Sequence, residues 1–228
     1  MTSVPTKSYL LSAMVLAGLQ MATFSSAHAD WYTETTLLQT NLDNTNLNST
    51  GRNVNIAVED DTAFAGAIGY QYEANSVGAL RIEAEYLTTD NDVTGVNFNN
   101  NIFSGANVAG SLETQSVFIN AIQSFGAGAV QPYVGAGIGY TKVESDTAYN
   151  PTLSASINDS DSTFSYQFLA GLDIPFSERF TGFAEYRYVD VGDIDLDRRG
   201  GGPGGVATTS QSGDLSFDAF AVGLRYQF

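Results

Sequence analysis

Apolar residues alternate with polar or small residues in eight separate segments of this chain, each about ten residues long. Residues 80–86 (LRIEAEY) show the pattern most clearly, with Leu, Ile, Ala and Tyr on one face and Arg and two Glu on the other. A repeat of two residues is the period of a β-strand. No stretch after residue 29 has a convincing helical period, so an all-β fold is predicted. We expect strands near residues 31–40, 62–73, 78–89, 113–125, 130–142, 163–174, 180–190 and 215–228.

The connections between these segments are alternately short and long. Short connections lie near residues 74–77, 126–129 and 175–179, whereas the other four run to roughly twenty residues rich in Asn, Asp, Ser, Thr and Gly. Tight turns at one end and long loops at the other are typical of membrane β-barrels. The pattern therefore predicts an eight-stranded antiparallel up-and-down transmembrane β-barrel with short periplasmic turns and four long outer loops.

The polarity of the two strand faces favours a membrane over a water-soluble barrel. One face carries charged residues such as Arg81, Glu185 and Arg225, and burying unpaired charges inside a small soluble barrel costs several kcal/mol each. Turning the other face to water would expose a large apolar band. Both difficulties ease if hydrocarbon surrounds the barrel and the lumen is polar.

Aromatic residues form two levels near opposite ends of the predicted strands. Such levels are typical of the interfacial girdles of a bilayer protein. At the short-turn end lie Trp31, Tyr72, Phe125, Phe180, Tyr226 and Phe228, and at the long-loop end lie Phe64, Tyr86, Tyr140, Phe164 and Tyr188.

Residues 1–29 have the features of a cleaved secretory signal peptide. Lys7 supplies the positive charge, residues 9–19 form an apolar stretch, and residues 27–29 (AHA) match a cleavage site that would leave Asp30 as the first mature residue. The barrel domain is then residues 30–228. Cleavage would also remove the one histidine, leaving eight basic and 25 acidic residues.

Three segments carry a family resemblance: residues 133–140 (YVGAGIGY), 183–188 (FAEYRY) and 223–228 (GLRYQF). Together with the signal and the eight strands, they resemble the small eight-stranded outer-membrane proteins of Gram-negative bacteria. This group includes the membrane domain of outer-membrane protein A and the opacity-like surface antigens, also described as porin-family barrels. The resemblance implies location in the cell outer membrane and contact with its lipid and lipopolysaccharide. It also implies that the terminal Phe228 belongs to an insertion signal read by the barrel-assembly machinery.

Six charged residues are predicted to point into the lumen. Three arginines face three glutamates at comparable heights, which suggests a paired network across a barrel just wide enough for side chains to fill. We expect this network to close the lumen, the alternatives being a conductive pathway or catalytic carboxylates. The six residues are Arg81, Glu83, Glu85, Glu185, Arg187 and Arg225.

Composition excludes several other functions. A net charge of −16 argues against a nucleic-acid partner, and the absence of cysteine excludes disulfides and thiolate metal sites. Without histidine, the mature chain lacks serine–histidine catalysis and histidine metal sites. The acidic run that begins at Asp193 departs from a calcium loop at Arg198 and Gly204. No catalytic residue, cofactor or metal is therefore expected.

Four acidic runs lie in the predicted outer loops, at residues 59–61, 90–92, 159–161 and 190–197. The last of them contains the run that begins at Asp193. We interpret them as solvated, mutually repelling segments, with loose association of divalent cations near lipopolysaccharide as the alternative.

Two functions remain open from the sequence. The favoured one is a structural or surface-interaction protein, with a plugged lumen and outer loops displayed for adhesion to a host or surface ligand. The alternative is a small porin-like channel for ions or small solutes.

Overall fold

The protein is described by a computed structural model that covers residues 31–42, 45–49, 52–58, 62–72, 78–98, 101–104, 108–126, 128–150, 155–202 and 205–228. These ranges contain eleven β-strands. They are β1 (Trp31–Leu42), β2 (Thr45–Ser49), β3 (Arg52–Val58), β4 (Thr62–Gln71), β5 (Leu80–Phe98), β6 (Asn101–Ser104), β7 (Ala109–Ser124), β8 (Gln131–Asn150), β9 (Ala155–Pro175), β10 (Phe180–Gly202) and β11 (Gly205–Gln227). Over the same ranges, no helix is long and apolar enough to cross a membrane. The predicted signal peptide lies outside the described residues.

Eight of the strands close into a ring. The order is β1–β4–β5–β7–β8–β9–β10–β11, and β11 pairs back with β1, every pairing being antiparallel. Following the paired residues once around the ring leads from Trp31 to Asn41, ten residues further along β1. A stagger of this kind is what tilts the strands of a closed barrel. The predicted eight-stranded antiparallel barrel is thus confirmed.

Most of the ring strands run well beyond their predicted outer ends. β10 and β11 pair continuously from Phe180–Tyr226 to Gly202–Gly205, apart from a bulge between Asp190 and Gly192. The remaining three strands also lie in the predicted loops, where β2 and β3 pair with each other and β6 pairs with the end of β5. The outer connections are therefore largely sheet.

The interpretation of residues 190–197 as a solvated acidic loop is wrong, because this run forms part of β10. Ile194 and Leu196 are fully buried, whereas Asp193, Asp195 and Asp197 are exposed. The run alternates like the other strands, and its acidic residues occupy only the outward positions. Residues 90–92 and 159–161 likewise lie in strands, and residues 59–61 lie outside the described part of the chain.

The outer face of the ring carries apolar side chains. Large apolar residues that are more than half exposed occur on several strands, among them Ile68, Val117, Ile138, Phe168 and Val222. Aromatic rings contact each other near both strand ends, as in Trp31–Tyr70, Phe180–Tyr226 and Tyr140–Phe164. An apolar band between two aromatic levels is the outer surface expected of a bilayer-spanning barrel.

Candidate functional site: the barrel lumen

The inner wall contains all six charged residues that were predicted to face the lumen. Each is at most 7% exposed: Arg81, Glu83, Glu85, Glu185, Arg187 and Arg225. They lie on β5, β10 and β11, where strand alternation turns them away from the lipid-facing side chains.

Arg187 holds two glutamates together and forms the first of two ionic clusters. Its Nη1 and Nη2 atoms donate to Glu85 at 2.8 and 3.1 Å, and its Nη2 and Nε atoms donate to Glu185 at 2.7 and 3.0 Å. Nη1 also reaches the amide oxygen of Gln167 at 3.3 Å. A guanidinium group shared in this way satisfies two buried carboxylates at once.

The second ionic cluster lies nearer the short-turn end of the barrel. Arg81 donates to Asp173 at 2.5 Å, and Arg225 donates to both oxygens of Asp173 at 3.0 and 3.1 Å. Arg225 also forms an ion pair with Glu34. These two arginines therefore bind carboxylates that the sequence analysis did not name.

Strand parity could have identified Glu34 and Asp173 as lumen-facing residues. Glu34 shares its parity on β1 with the buried Tyr32, and Asp173 shares its parity on β9 with the buried Leu169. The signal is weak on β1 because its outward positions include Thr33 and Thr35, so that neither face looks purely apolar.

Glu83 departs from the expected pairing of three arginines with three glutamates. Its Oε2 atom accepts a hydrogen bond from the Tyr32 hydroxyl at 2.8 Å, and its Oε1 atom accepts one from the Asn120 amide at 3.0 Å. None of the ion pairs among the described residues includes Glu83. The arginine that lies two residues away on the same strand binds Asp173 instead.

Two amide side chains connect Glu83 with the Arg187 cluster. Gln167 donates to Asn120 Oδ1 at 2.8 Å and to Glu85 Oε1 at 3.1 Å, while Asn120 donates to Glu83. The hydrogen bonds thus continue across the lumen through neutral as well as charged groups. Such a network is stabilising only when its buried members are satisfied.

Two tyrosines on opposite sides of the ring occupy equivalent positions in this network. Tyr32 on β1 donates to Glu83 on β5, and Tyr133 on β8 donates to Glu185 on β10, both at 2.8 Å. Each ring lies over a glycine of the intervening strand, because a Cβ atom at Gly69 or Gly171 would fall within 2.5 Å of the ring.

Arginines pack on the faces of these same tyrosine rings. Arg225 lies 5.3 Å from the ring centroid of Tyr32, and Arg81 lies 5.1 Å from that of Tyr133. Cation–π contacts of this kind fix both the rings and the guanidinium groups.

Beyond the ionic layer formed by these two clusters, toward the outer loops, apolar side chains share the lumen with buried hydroxyl groups such as those of Thr141 and Ser165. Leu87 follows Glu85 on β5 and Val189 follows Arg187 on β10, and both are fully buried. They belong to a continuous core that also includes Leu38, Val143 and Phe217. The upper part of the barrel is therefore packed like the interior of a soluble protein, a feature that the sequence analysis did not predict.

Phe228 ends the chain beside the first strand. Its backbone N–H donates to the Trp31 carbonyl oxygen at 3.0 Å, and its ring contacts Tyr226 with centroids 5.5 Å apart. This places the terminal aromatic at the short-turn edge of the closed ring. Its role as an insertion signal stays a prediction.

A closed ring of eight strands with a polar lumen and an apolar exterior defines an outer-membrane β-barrel. Comparison with protein families gives the same result: the family described as "Outer membrane protein beta-barrel domain" matches residues 10–228. The chain belongs to this family, and its location is the cell outer membrane. A comparison with curated protein sequences found no match.

Solved structures of similar fold include three other outer-membrane barrels. Neisserial surface protein A is 14% identical with a TM-score of 0.51, over 89% of this chain and 100% of that chain. The outer membrane protease OmpT from Escherichia coli is 8% identical with a TM-score of 0.57, over 91% and 99% of the two chains. Outer membrane protein AlkL is 16% identical with a TM-score of 0.50, over 100% and 96%. These similarities concern the fold, which by itself neither implies nor excludes catalysis.

Proposed function

We propose that this outer-membrane barrel is a structural and surface-interaction protein whose lumen is closed to solutes. The observation that carries the proposal is the stacking of two different barriers along the barrel axis. The ionic layer around Arg187 blocks the membrane-spanning part with buried, hydrogen-bonded side chains. Buried apolar side chains such as Phe217 and Val143, together with hydrogen-bonded hydroxyl groups such as that of Thr141, fill the part above it. An ion would have to break both layers to cross.

The outer extension of the strands supports a role in surface contact. Its apolar interior holds the extended strands together, so that their outward side chains are displayed on sheet rather than on loose loops. This outward surface is strongly acidic, and its members include Asp90, Asp92, Glu113, Glu144, Asp146, Asp193, Asp195 and Asp197. Adhesion to a host or surface ligand, or contact with the surrounding lipopolysaccharide, would take place here.

The chemistry of the chain supports a non-enzymatic role. Residues 30–228 contain no histidine and no cysteine, so the commonest general base and the thiol nucleophile are both missing. In the lumen, Glu85 and Glu185 are engaged by Arg187, and Asp173 is engaged by two arginines. Carboxylates held in this way are poorly placed to attack or protonate a substrate.

Assembly in the outer membrane is proposed to use the C-terminal strand. β11 ends with alternating outward residues and closes the ring against β1, with Phe228 at its edge. Replacing Phe228 by Ala should lower the amount of folded barrel in the outer membrane of cells. It should leave the stability of refolded protein nearly unchanged, since this ring lies at the periphery. Equal membrane levels of the variant and the wild type would contradict the proposal.

Conductance of the refolded protein in planar bilayers tests the closed lumen. A heat-shifted gel band first establishes that the barrel has folded. We expect the wild type to show no steady openings. We expect Arg187→Ala to open intermittently, because it removes the only cation that Glu85 and Glu185 share among the described ion pairs. Steady openings of the wild type would instead establish the small porin-like channel.

A further inference from the structure

We propose that Glu83 is a proton-binding site within the membrane-spanning lumen, and that its carboxyl group is neutral in the folded barrel. The inference is independent of the proposed function, since a conducting barrel could contain the same site. It begins from an imbalance of charge. In the part of the lumen that contains the two ionic clusters, five carboxyl groups but three guanidinium groups are buried: Glu34, Glu83, Glu85, Asp173 and Glu185 against Arg81, Arg187 and Arg225. A fourth buried arginine, Arg198, lies eleven positions beyond Arg187, near the outer end of β10.

The three arginines are all engaged with carboxylates other than Glu83. Arg81 and Arg225 share Asp173, and Arg225 also binds Glu34. Arg187 is divided between two glutamates of the other cluster. Glu83 is thus the lumen carboxyl group without an ion-pair partner among the described residues.

No cationic group in the described part of the chain donates a hydrogen bond to Glu83. From β1 it faces the Tyr32 hydroxyl and the like-charged Glu34. From its own strand it faces the like-charged Glu85 on one side and Arg81 on the other, and Arg81 donates to Asp173 instead. From β7 it faces the neutral Asn120 amide. Arg225 packs on the far side of the contact, over the Tyr32 ring, and directs its donors to other carboxylates. An ionised Glu83 would therefore be buried beside two negative charges with only neutral hydrogen-bond donors.

A bound proton is compatible with both observed contacts. Oε1 can keep the hydrogen bond from Asn120, while a proton on Oε2 can be donated to the Tyr32 oxygen, because a tyrosine hydroxyl both donates and accepts. The proton comes from solution as the barrel folds, and no other group needs to change its charge. Glu85 and Glu185 differ, since each accepts charge-assisted hydrogen bonds from Arg187.

Infrared spectroscopy of the refolded full barrel tests the protonation state directly. The wild type at neutral pH should show a carboxylic-acid carbonyl band from a group that exchanges slowly with solvent. Glu83→Gln should remove this band, and the matched variant Glu85→Gln should retain it. A wild-type spectrum without the band, or a band that survives in Glu83→Gln, would overturn the proposal.

Thermal unfolding of the same variants gives a second readout. A group that is neutral when folded and ionised when unfolded contributes stability that decreases as the pH rises. Glu83→Gln should therefore melt within about 3 °C of the wild type at neutral pH. Between neutral and alkaline pH, its melting temperature should fall less than that of the wild type. Glu85→Gln, which weakens an ion pair, should melt about 5 °C or more below the wild type at neutral pH. Equal losses in the two variants at neutral pH would contradict a neutral Glu83. Should Glu83→Gln fail to refold, a wild-type spectrum without the band would still overturn the proposal.

Discussion

Arg187 on β10 and Glu85 on β5 form a two-point ion pair across the full width of the barrel. Nη1 lies 2.8 Å from Oε1 and Nη2 lies 3.1 Å from Oε2. The two strands occupy the third and seventh positions of the eight-membered ring, so the pair joins opposite walls. Hydrogen bonds between neighbouring strands cannot do this, because they act only along the wall.

Replacing Arg187 by Ala should lower the free energy of unfolding by about 3–5 kcal/mol, because it leaves two buried glutamates without a cation. The temperature at which the folded gel band disappears measures the effect. Arg199→Ala is the matched control, since Arg199 is an exposed arginine of the same strand and should change that temperature little. Equal melting of the two variants would show that the cross-lumen pair does not stabilise the barrel.

Replacing Gly69 by Ala should destabilise the barrel by about 1–3 kcal/mol through overpacking. The added Cβ would fall 2.3 Å from the Tyr32 ring, whose hydroxyl is bonded to Glu83 and whose face is covered by Arg225. The ring can therefore not move aside without disturbing the ionic layer. Denaturant unfolding of refolded protein in micelles measures the change.

Gly66 on the same strand provides the control for this substitution. It faces lipid, and a Cβ there would meet its nearest neighbour, the Glu34 carbonyl oxygen, at an ordinary 3.7 Å. Gly66→Ala should therefore be neutral or slightly stabilising. If both variants lost the same stability, the loss at Gly69 would come from backbone effects rather than from the crowded lumen.

Parity along the strands predicted the ring and the inward direction of charged residues such as Arg81 and Glu185. It could not predict their partners, because the pairing depends on the stagger of strands that are distant in sequence. Arg81, for example, reaches Asp173 across 92 positions. The lack of an ion pair at Glu83 among the described residues is likewise a property of three-dimensional placement, since in the sequence of β5 Glu83 looks identical to Glu85.

The sequence analysis predicted loops where the structure has the outer parts of the strands, and the reason lies in their composition. The outward positions of these segments are rich in Asp, Ser and Thr, a composition that is typical of loops. The strand period is carried by buried inward residues such as Val191 and Ile194. The two-residue alternation continues there, although the average polarity of the segments is that of loops. In this barrel the average polarity of a segment therefore does not distinguish a loop from an extended strand, whereas the alternation of its positions does.

Leu196→Ala should loosen the outer extension, because Leu196 is fully buried in the upper core and deletions of this kind cost about 2–5 kcal/mol. Trypsin can report on it, since Arg198 and Arg199 follow in the same strand. We expect cleavage there to accelerate in Leu196→Ala and to remain slow in the control Asp193→Ala, whose side chain is exposed. Rapid cleavage of the wild type would contradict a packed extension.

Glu113→Gln should stabilise the outer extension at neutral pH. Glu113 lies on β7 beyond the membrane-spanning part, directly opposite Asp90 on one neighbouring strand and Glu144 on the other. Partial burial, followed by repulsion from these two carboxylates, raises the pKa of Glu113 above its ordinary value. A raised pKa means that the folded state retains the proton more readily, so stability is greatest at low pH and decreases as the pH rises through the folded-state pKa.

The glutamine variant should remove this loss, gaining a few tenths of a kcal/mol to about 1 kcal/mol at pH 8 and almost nothing at pH 4, where the carboxyl group is protonated. Denaturant unfolding at the two pH values measures the difference. Glu178→Gln, in the exposed turn between β9 and β10, is the control and should show no pH-dependent gain. A gain of the same size at both pH values would mean that the introduced glutamine side chain stabilises by packing, and that the repulsion across the three strands is too weak to matter.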